Sequence, residues 1–347
     1  MTIDHIGRRA LSACAAAMLV ACGQSPAVPN TAPLVGNAAA SSAHADAQGC
    51  PLKRCIIVGS QSLYKDKPRS SVLFFARNAN GNVSPVGAIQ GAKTMLSLPT
   101  GLATDSHHNI FVANYNSTIT VYAAGAEGNV APIRTIAGAK TLLKAPAGIA
   151  IDSRDRLYVA ENQENRILVY ARDANGDSAP IRVISGANTQ LSAPWGLGFD
   201  SQSNLYVADN GPNDCCITVY APGANGDTAP IRTIEGSATE LQGPAGLAVD
   251  ASGYVYVVNS NSVNWEVGVF APDANGNQAP VSYFSGGYGA FGIGVGDHNI
   301  YVTSVGYDDP PFVATFSGGP VGNQGHILRQ IQGNKTKLIW PEGVIVR

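Results

Sequence analysis

Charge is scarce in this chain: Asp, Glu, Lys and Arg make up 13% of 347 residues, and the formal net charge is −2. That scarcity argues against long solvated helices, which need a charged outer face. The near-neutral balance leaves no basic field to hold nucleic acid. The longest apolar run near the start, Ala10–Val20 (ALSACAAAMLV), is well short of the ~20 residues a membrane-spanning helix needs. No Gly-x-Ser-x-Gly, His-Glu-x-x-His, Cys-x-x-Cys or phosphate-binding glycine loop occurs, so the usual signatures of serine hydrolases, zinc proteases, thiol oxidoreductases and nucleotide enzymes are missing. Glycine, by contrast, is abundant at 39 residues, which suits short strands joined by tight turns.

The N-terminal segment reads as an address. Arg8 and Arg9 precede the short apolar run, as in a secretory signal. The run ends in Leu19-Val20-Ala21-Cys22, which resembles a bacterial lipobox. The resemblance implies a signal over residues 1–21, lipid on Cys22, and a protein held in the cell envelope by that lipid. Gly23, in place of the Asp that retains lipoproteins at the inner membrane, points by the same resemblance to the outer membrane. The alternative is an ordinary secretory signal that happens to contain a cysteine. Residues 22–49 are mostly Pro, Ala, Ser, Asn and Gly, too poor in bulk to offset the entropy of ordering, and read as a flexible tether.

The rest, residues 50–347, is a repeat. Phe75, Tyr122, Tyr170, Tyr220, Phe270 and Phe316 recur at intervals of 46 to 50 residues. Each unit holds four short β-rich runs separated by Gly, Asn, Asp or Pro turns. The chain enters the array at a second run (Ile56–Ser60) and leaves it on an isolated first run (Gly343–Arg347). If each unit is a four-stranded antiparallel blade, Gly343–Arg347 is the inner strand of a blade whose outer three strands lie in residues 56–91. That arrangement closes a ring and leaves no unpaired terminal edge. An open solenoid would want capping repeats, and none is visible. The expected fold is therefore all-β: a six-bladed β-propeller, acting as a monomer.

Pro146-Ala147-Gly148-Ile149-Ala150-Ile151-Asp152, Leu157–Glu161 and Asn165-Arg166-Ile167 resemble the NHL repeat, as do Pro244–Asp250 and Leu205–Asn210. The resemblance covers residues 56–347, and it implies the propeller far more specifically than any function. The last units depart from it: Gly296 and Arg347 stand where the turn Asp belongs.

Residues repeated in every unit solve a packing problem common to every unit. Asp105, Asp152, Asp200 and Asp250 are expected to accept the backbone N–H groups of the turns they open. Arg134, Arg182 and Arg232 are expected as solvated charges on outer strands. Asn-Gly pairs such as Asn175-Gly176 are expected in hairpin turns that need positive φ.

Function is expected where the units differ. Connections between second and third strands, and between one unit and the next, share a face with the channel mouth. Alignment places Thr100, Ala147, Trp195, Ala245, Phe291 and Glu342 around that mouth, with Trp265, Tyr288 and Trp340 nearby. Aromatics at a concave mouth suit sugars, peptides or flat apolar ligands, or else plug the channel. Asn114, Glu161, Asp209 and Asn259 form a polar arc in consecutive units. Such an arc can hold a hard divalent cation such as calcium; the rival is that its acids brace their own loops, Glu161 against Arg166. No other cofactor is expected. His107, His108 and His298 fall on the opposite face, which argues against a histidine base and against the histidine-dependent propeller lyases.

Two cysteine pairs complete the reading. Cys50 and Cys55 are expected to form a local disulfide in an oxidising envelope. Cys215 and Cys216 are adjacent in a loop on the binding face, either as a strained vicinal disulfide or as two thiols. The leading expectation is a lipid-anchored, non-catalytic module that binds an envelope protein or glycan. The alternative resembles the gluconolactonase-like propellers: a divalent-metal-dependent lactonase or esterase using the polar arc.

Overall fold

A computed structural model of the protein describes residues 55–61, 70–211, 215–260, 266–306, 310–318 and 326–346. They form six antiparallel sheets of four strands each, arranged as the blades of a propeller. Blade one is assembled from both ends of the ring. Its inner strand is Pro341–Val346, followed outward by Cys55–Ser60, Ser71–Ala76 and Gly87–Gln90. Ile56 pairs with Val346, Ile57 with Ile345 and Val58 with Val344. The inner strands of blades two to six are Pro99–Thr104, Pro146–Ile151, Pro194–Phe199, Pro244–Val249 and Ala290–Gly296. Cys22, Cys50, Trp265, Arg347, the signal and the tether lie outside the described residues.

The second strand of each blade is buried on both faces, which is why it reads as a continuous apolar run rather than an alternating one. The core is a series of slabs between neighbouring blades. Phe111, Ala113, Ile119 and Val121 of blade two pack with Ile149, Val159, Leu168 and Tyr170 of blade three. Blade one does this on both sides. Ile56, Val58, Leu73 and Phe75 meet Tyr301, Val313 and Ile331 of blade six. Ile57, Val72 and Ile89 meet Leu102, Ile110, Val112 and Tyr122 of blade two.

Where the recurring aromatic is tyrosine, in blades two to four, it carries a polar tip. Tyr170 is fully buried, and its hydroxyl donates to the carbonyl of Thr141; Tyr220 donates likewise to the carbonyl of Thr189 at 2.5 Å. Burial drives the Tyr122 phenol up to about 12, so these hydroxyls stay protonated and act as donors.

The turn aspartates do what their position implies. Asp152 Oδ1 accepts the N–H groups of Arg154 (3.0 Å) and Arg156 (2.9 Å), and Asp105, Asp200 and Asp250 repeat the pattern. Blade six lacks this Asp. It turns instead through Asp297 and His298, both at positive φ (50° and 59°), in a two-residue hairpin between Gly296 and Asn299.

Two expectations change. The Asn-Gly hairpins do supply positive φ, 61° at Gly176, but they also clasp the preceding blade. Gly176 N–H donates to Thr135 O at 2.7 Å and Gly176 O accepts from Ala137 N at 3.0 Å. Asn175 Oδ1 accepts from Thr135 N (3.1 Å), and Asp177 Oδ1 from Lys140 N (2.7 Å). The same parallel bridge joins Ile89 to Gly128, Ile184 to Gly226, Ile234 to Gly276 and Ile331 to Gly81; the hairpin that would serve the remaining junction falls within residues 319–325, outside the described residues. The arginines are not simply solvated edge charges. Arg134 Nη1 donates to Arg172 O at 2.6 Å and Arg232 Nη1 to Pro272 O at 2.8 Å, each on the next blade's hairpin. Their guanidinium groups, with that of Arg182, lie 5.2–5.7 Å from the rings of Phe111, Tyr206 and Tyr158, within cation–π range. A guanidinium can satisfy a neighbouring carbonyl and cover an aromatic face at once.

Candidate functional site

The inner strands approach one another closely at Pro-x-Gly, or Ala290-Phe291-Gly292 in blade six, where each carries a register shift against its second strand. A Cβ at Gly101 would stand 2.6 Å from Ala147 O, and one at Gly246 would stand 2.5 Å from Phe291 O. Glycine is therefore a requirement of blade-to-blade approach here. It fixes the preceding residue, the x position, at the mouth of the axial channel.

Of the six aligned mouth residues, four line the channel, and Ala147 and Ala245 are not among its lining. Thr100, Trp195, Phe291 and Glu342 line a channel of about 320 Å³ that continues between the inner strands past Leu102, Ile149, Leu197, Leu247, Ile293 and Val344. Trp195 and Phe291 belong to blades four and six. Small Ala245 lies between them in sequence order around the ring, and the two rings meet edge to face with centroids 5.3 Å apart. Thr100 Oγ1 donates to Pro146 O at 2.8 Å, tying blade two to blade three.

Glu342 is the acid of the ring and is only 6% exposed. The Trp340 indole N–H donates to its Oε1 at 3.1 Å, while Oε2 has no hydrogen-bond partner. Burial pushes the carboxyl up to about 8, against the smaller opposing pull of the Trp340 indole and the neighbouring Gln61 amide. Tyr288 is exposed on the same side, where its carbonyl accepts from Ser304 Oγ at 2.5 Å.

The polar arc is differently engaged. Asn114 Oδ1 accepts from Ser97 N (2.9 Å). Glu161 Oε2 accepts from Lys144 N (2.9 Å) and Ala145 N (3.1 Å). Asp209 accepts from Ser192 N (2.9 and 2.7 Å), and Asn259 Oδ1 accepts from Gln242 N (2.5 Å). All four are buried and hold the loop that enters their own blade. Glu161 thus braces the incoming loop, while Arg166 turns to Leu142 O and the Glu164 carboxylate. Burial raises the Glu161 carboxyl above its ordinary value, and the two backbone donors oppose this. Among the described residues, no three His, Cys, Asp or Glu side chains are grouped to share a metal ion.

Cys55 is disulfide-bonded; its expected partner Cys50 lies outside the described residues. Cys216 is a buried thiol, and the side chain of Cys215 lies outside the described residues, as does any pairing of the two. On the opposite face, Ser106 Oγ donates to Asp155 Oδ2 at 2.7 Å and lies 3.2 Å from His107 Nδ1. The serine proton is directed at the aspartate, so the group is a surface link between two turns and not a nucleophile with its base.

No protein family matches the chain, and no curated protein does. Solved structures do. A putative 6-phosphogluconolactonase from Bacteroides fragilis is 12% identical with a TM-score of 0.57, over 85% of this chain and 98% of that one. A protein from Lactobacillus plantarum is 13% identical with a TM-score of 0.53, over 85% and 99%. These likenesses show the propeller fold.

Proposed function

We propose that the protein is a non-catalytic binding module of the bacterial cell envelope, anchored by lipid on Cys22. It engages an envelope protein or glycan through the loop face around Trp195, Phe291, Trp340 and Glu342. In this reading the units are NHL-like and the propeller is a rigid display platform. The observation that carries it is the state of the polar arc. Asn114, Glu161, Asp209 and Asn259 accept backbone N–H groups of their own blades, so the polar residues that recur there serve the scaffold. What differs between blades is left to the loops and the mouth ring, where specificity is displayed on a repeat fold.

The rival is a divalent-metal-dependent lactonase or esterase; the name of the Bacteroides structure, a putative 6-phosphogluconolactonase, gives a lactonase activity for that protein. Calorimetric titration of the full chain with calcium, zinc and manganese separates the two. The binding reading expects no saturable heat at millimolar metal and retention of envelope glycan fragments or of a purified envelope protein. Metal binding together with lactone turnover that Asp209→Ala abolishes would overturn it. For the anchor, incorporation of labelled palmitate is expected in the intact chain and not in Cys22→Ser.

A further inference from the structure

The loop-face reading does not say what the channel itself holds. Three observations meet there. The mouth is walled by two aromatic rings, Trp195 and Phe291, in edge-to-face contact. Behind them is a channel of about 320 Å³, lined by aliphatic side chains and glycine backbone. The acidic group of the lining, Glu342, is more than nine-tenths buried and keeps one oxygen without a partner.

A buried carboxyl with only neutral neighbours is costly to ionise, and a bound cation offsets that cost. Gln61, Thr100, Phe291, Trp340 and Thr303 surround Glu342. None of them is charged, and Thr303 Oγ1 is spent on the Glu342 carbonyl at 2.8 Å. A ligand that brings a positive charge into this setting meets a carboxylate in a poorly solvated cavity. An indole and a phenyl ring line the same channel, and aromatic rings attract alkylammonium groups. A neutral polyol gains the hydrogen bond but not the ring attraction. An anion is repelled once the carboxyl ionises. Phosphate and carboxylate ligands are disfavoured for the same reason, and among the described residues no Lys or Arg lines the channel to receive them.

We propose that the channel mouth is a binding site for a small organic cation, an alkylammonium or quaternary ammonium group, with Glu342 as its counter-ion and Trp195 and Phe291 as its aromatic walls. The inference rests on the mouth being a binding site, and it adds the chemical class of ligand.

Binding is then linked to one proton. Glu342 keeps its proton to about pH 8 in the empty protein, so a bound cation must displace it at neutral pH. Affinity is expected to rise about tenfold between pH 7 and pH 9, and to change little above that.

The probe is choline, whose charge does not vary with pH, set against 3,3-dimethylbutan-1-ol, its uncharged isostere. Both are titrated calorimetrically into the full chain at pH 7 and pH 9. The expected result is choline binding that strengthens about tenfold with pH, with weaker and pH-independent binding of the alcohol. Repeating the pH 7 titration in buffers of different ionisation enthalpy should show close to one proton released per choline bound. That measurement uses the unaltered protein and holds even if substitutions at the mouth fail to fold. Glu342→Gln, checked for its melt, should lose the preference for choline and its pH dependence. Absence of choline heat at pH 9, equal affinity for the alcohol, or binding without proton release would each overturn the proposal. If choline fails while glycan or protein retention persists, this inference falls and the loop-face reading stands; if both fail, the face is not a binding surface.

Discussion

The indole N–H of Trp340 donates to Glu342 across 3.1 Å, Trp340 standing just before and Glu342 within the strand Pro341–Val346 that completes blade one. One carboxyl oxygen is thereby satisfied and the other is not. The state of a single proton is in this way tied to the inner strand Pro341–Val346.

That proton has a consequence for stability. The folded protein holds it up to about pH 8, whereas the unfolded chain releases it near the ordinary 4.5. Between those values the native state binds more protons than the unfolded one, so stability falls as pH rises from about 4.5 to about 8 and levels off above. Glu342→Gln should remove this falling limb. The difference in melting free energy between variant and parent should grow in the variant's favour across that window, by on the order of a few kcal/mol. A constant difference from pH 5 to pH 9 would show that Glu342 titrates normally.

The glycines of the mouth and of the clasps should respond differently. Gly148→Ala drives a methyl into the carbonyl of Trp195 on the next blade; overpacking of this kind is expected to cost about 1–3 kcal/mol or more. Gly276→Ala meets open space and pays for its φ of +62°, about 1–2 kcal/mol. Urea midpoints should rank Gly148→Ala as the more damaging, and the reverse order would place the close approach elsewhere.

Asp177 tests the clasp. Its Oδ1 accepts the Lys140 N–H of the preceding blade, and Asn277 makes the equivalent bond to Ala238 N at 2.6 Å. Asp177→Ala should therefore lose about 1 kcal/mol in denaturant unfolding, while Asp177→Asn stays near the parent. Equal losses in both variants would mean that the charge, and not the accepting oxygen, matters.

Two buried tyrosines form a matched pair. Tyr170 donates to Thr141 O, whereas the hydroxyl of Tyr301, equally buried, has no hydrogen-bond partner. Tyr170→Phe should destabilise by about 1–3 kcal/mol because it leaves a carbonyl bare. Tyr301→Phe should be neutral or stabilising. Thermal melts of the two variants decide this directly.

The repeat made the blade legible, because four β-rich runs recur with aromatics at fixed places, and the odd first run at 343–347 disclosed the shared blade. The repeat could not show which unit a side chain serves. Asn175, Asp177 and Arg134 look identical whether they bond within their blade or to the next, and they bond to the next. Proximity in sequence pairs Glu161 with Arg166, whose charge does act on the carboxyl, but its hydrogen-bond donors lie 16 and 17 residues upstream, in a loop that only the folded blade brings close. Alignment alone places Thr100, Trp195, Phe291 and Glu342, each one residue before a close-packed glycine, on the channel lining where the structure has them. The meeting of Trp195 with Phe291 was not readable, because it joins two blades that are not neighbours in the ring.

Blade one also fixes how the ring carries mechanical load. The strand Cys55–Ser60 is the N-terminal strand of the ring, and it is flanked on both sides, by Pro341–Val346 and by Ser71–Ala76. Tension applied through the preceding chain therefore enters an interior strand. Along the strand direction it loads both ladders in shear, with the hydrogen bonds acting in parallel, and does not peel an edge strand one bond at a time. The blade that joins the two ends of the ring is thus also placed to bear a pull from whatever holds the N-terminal segment.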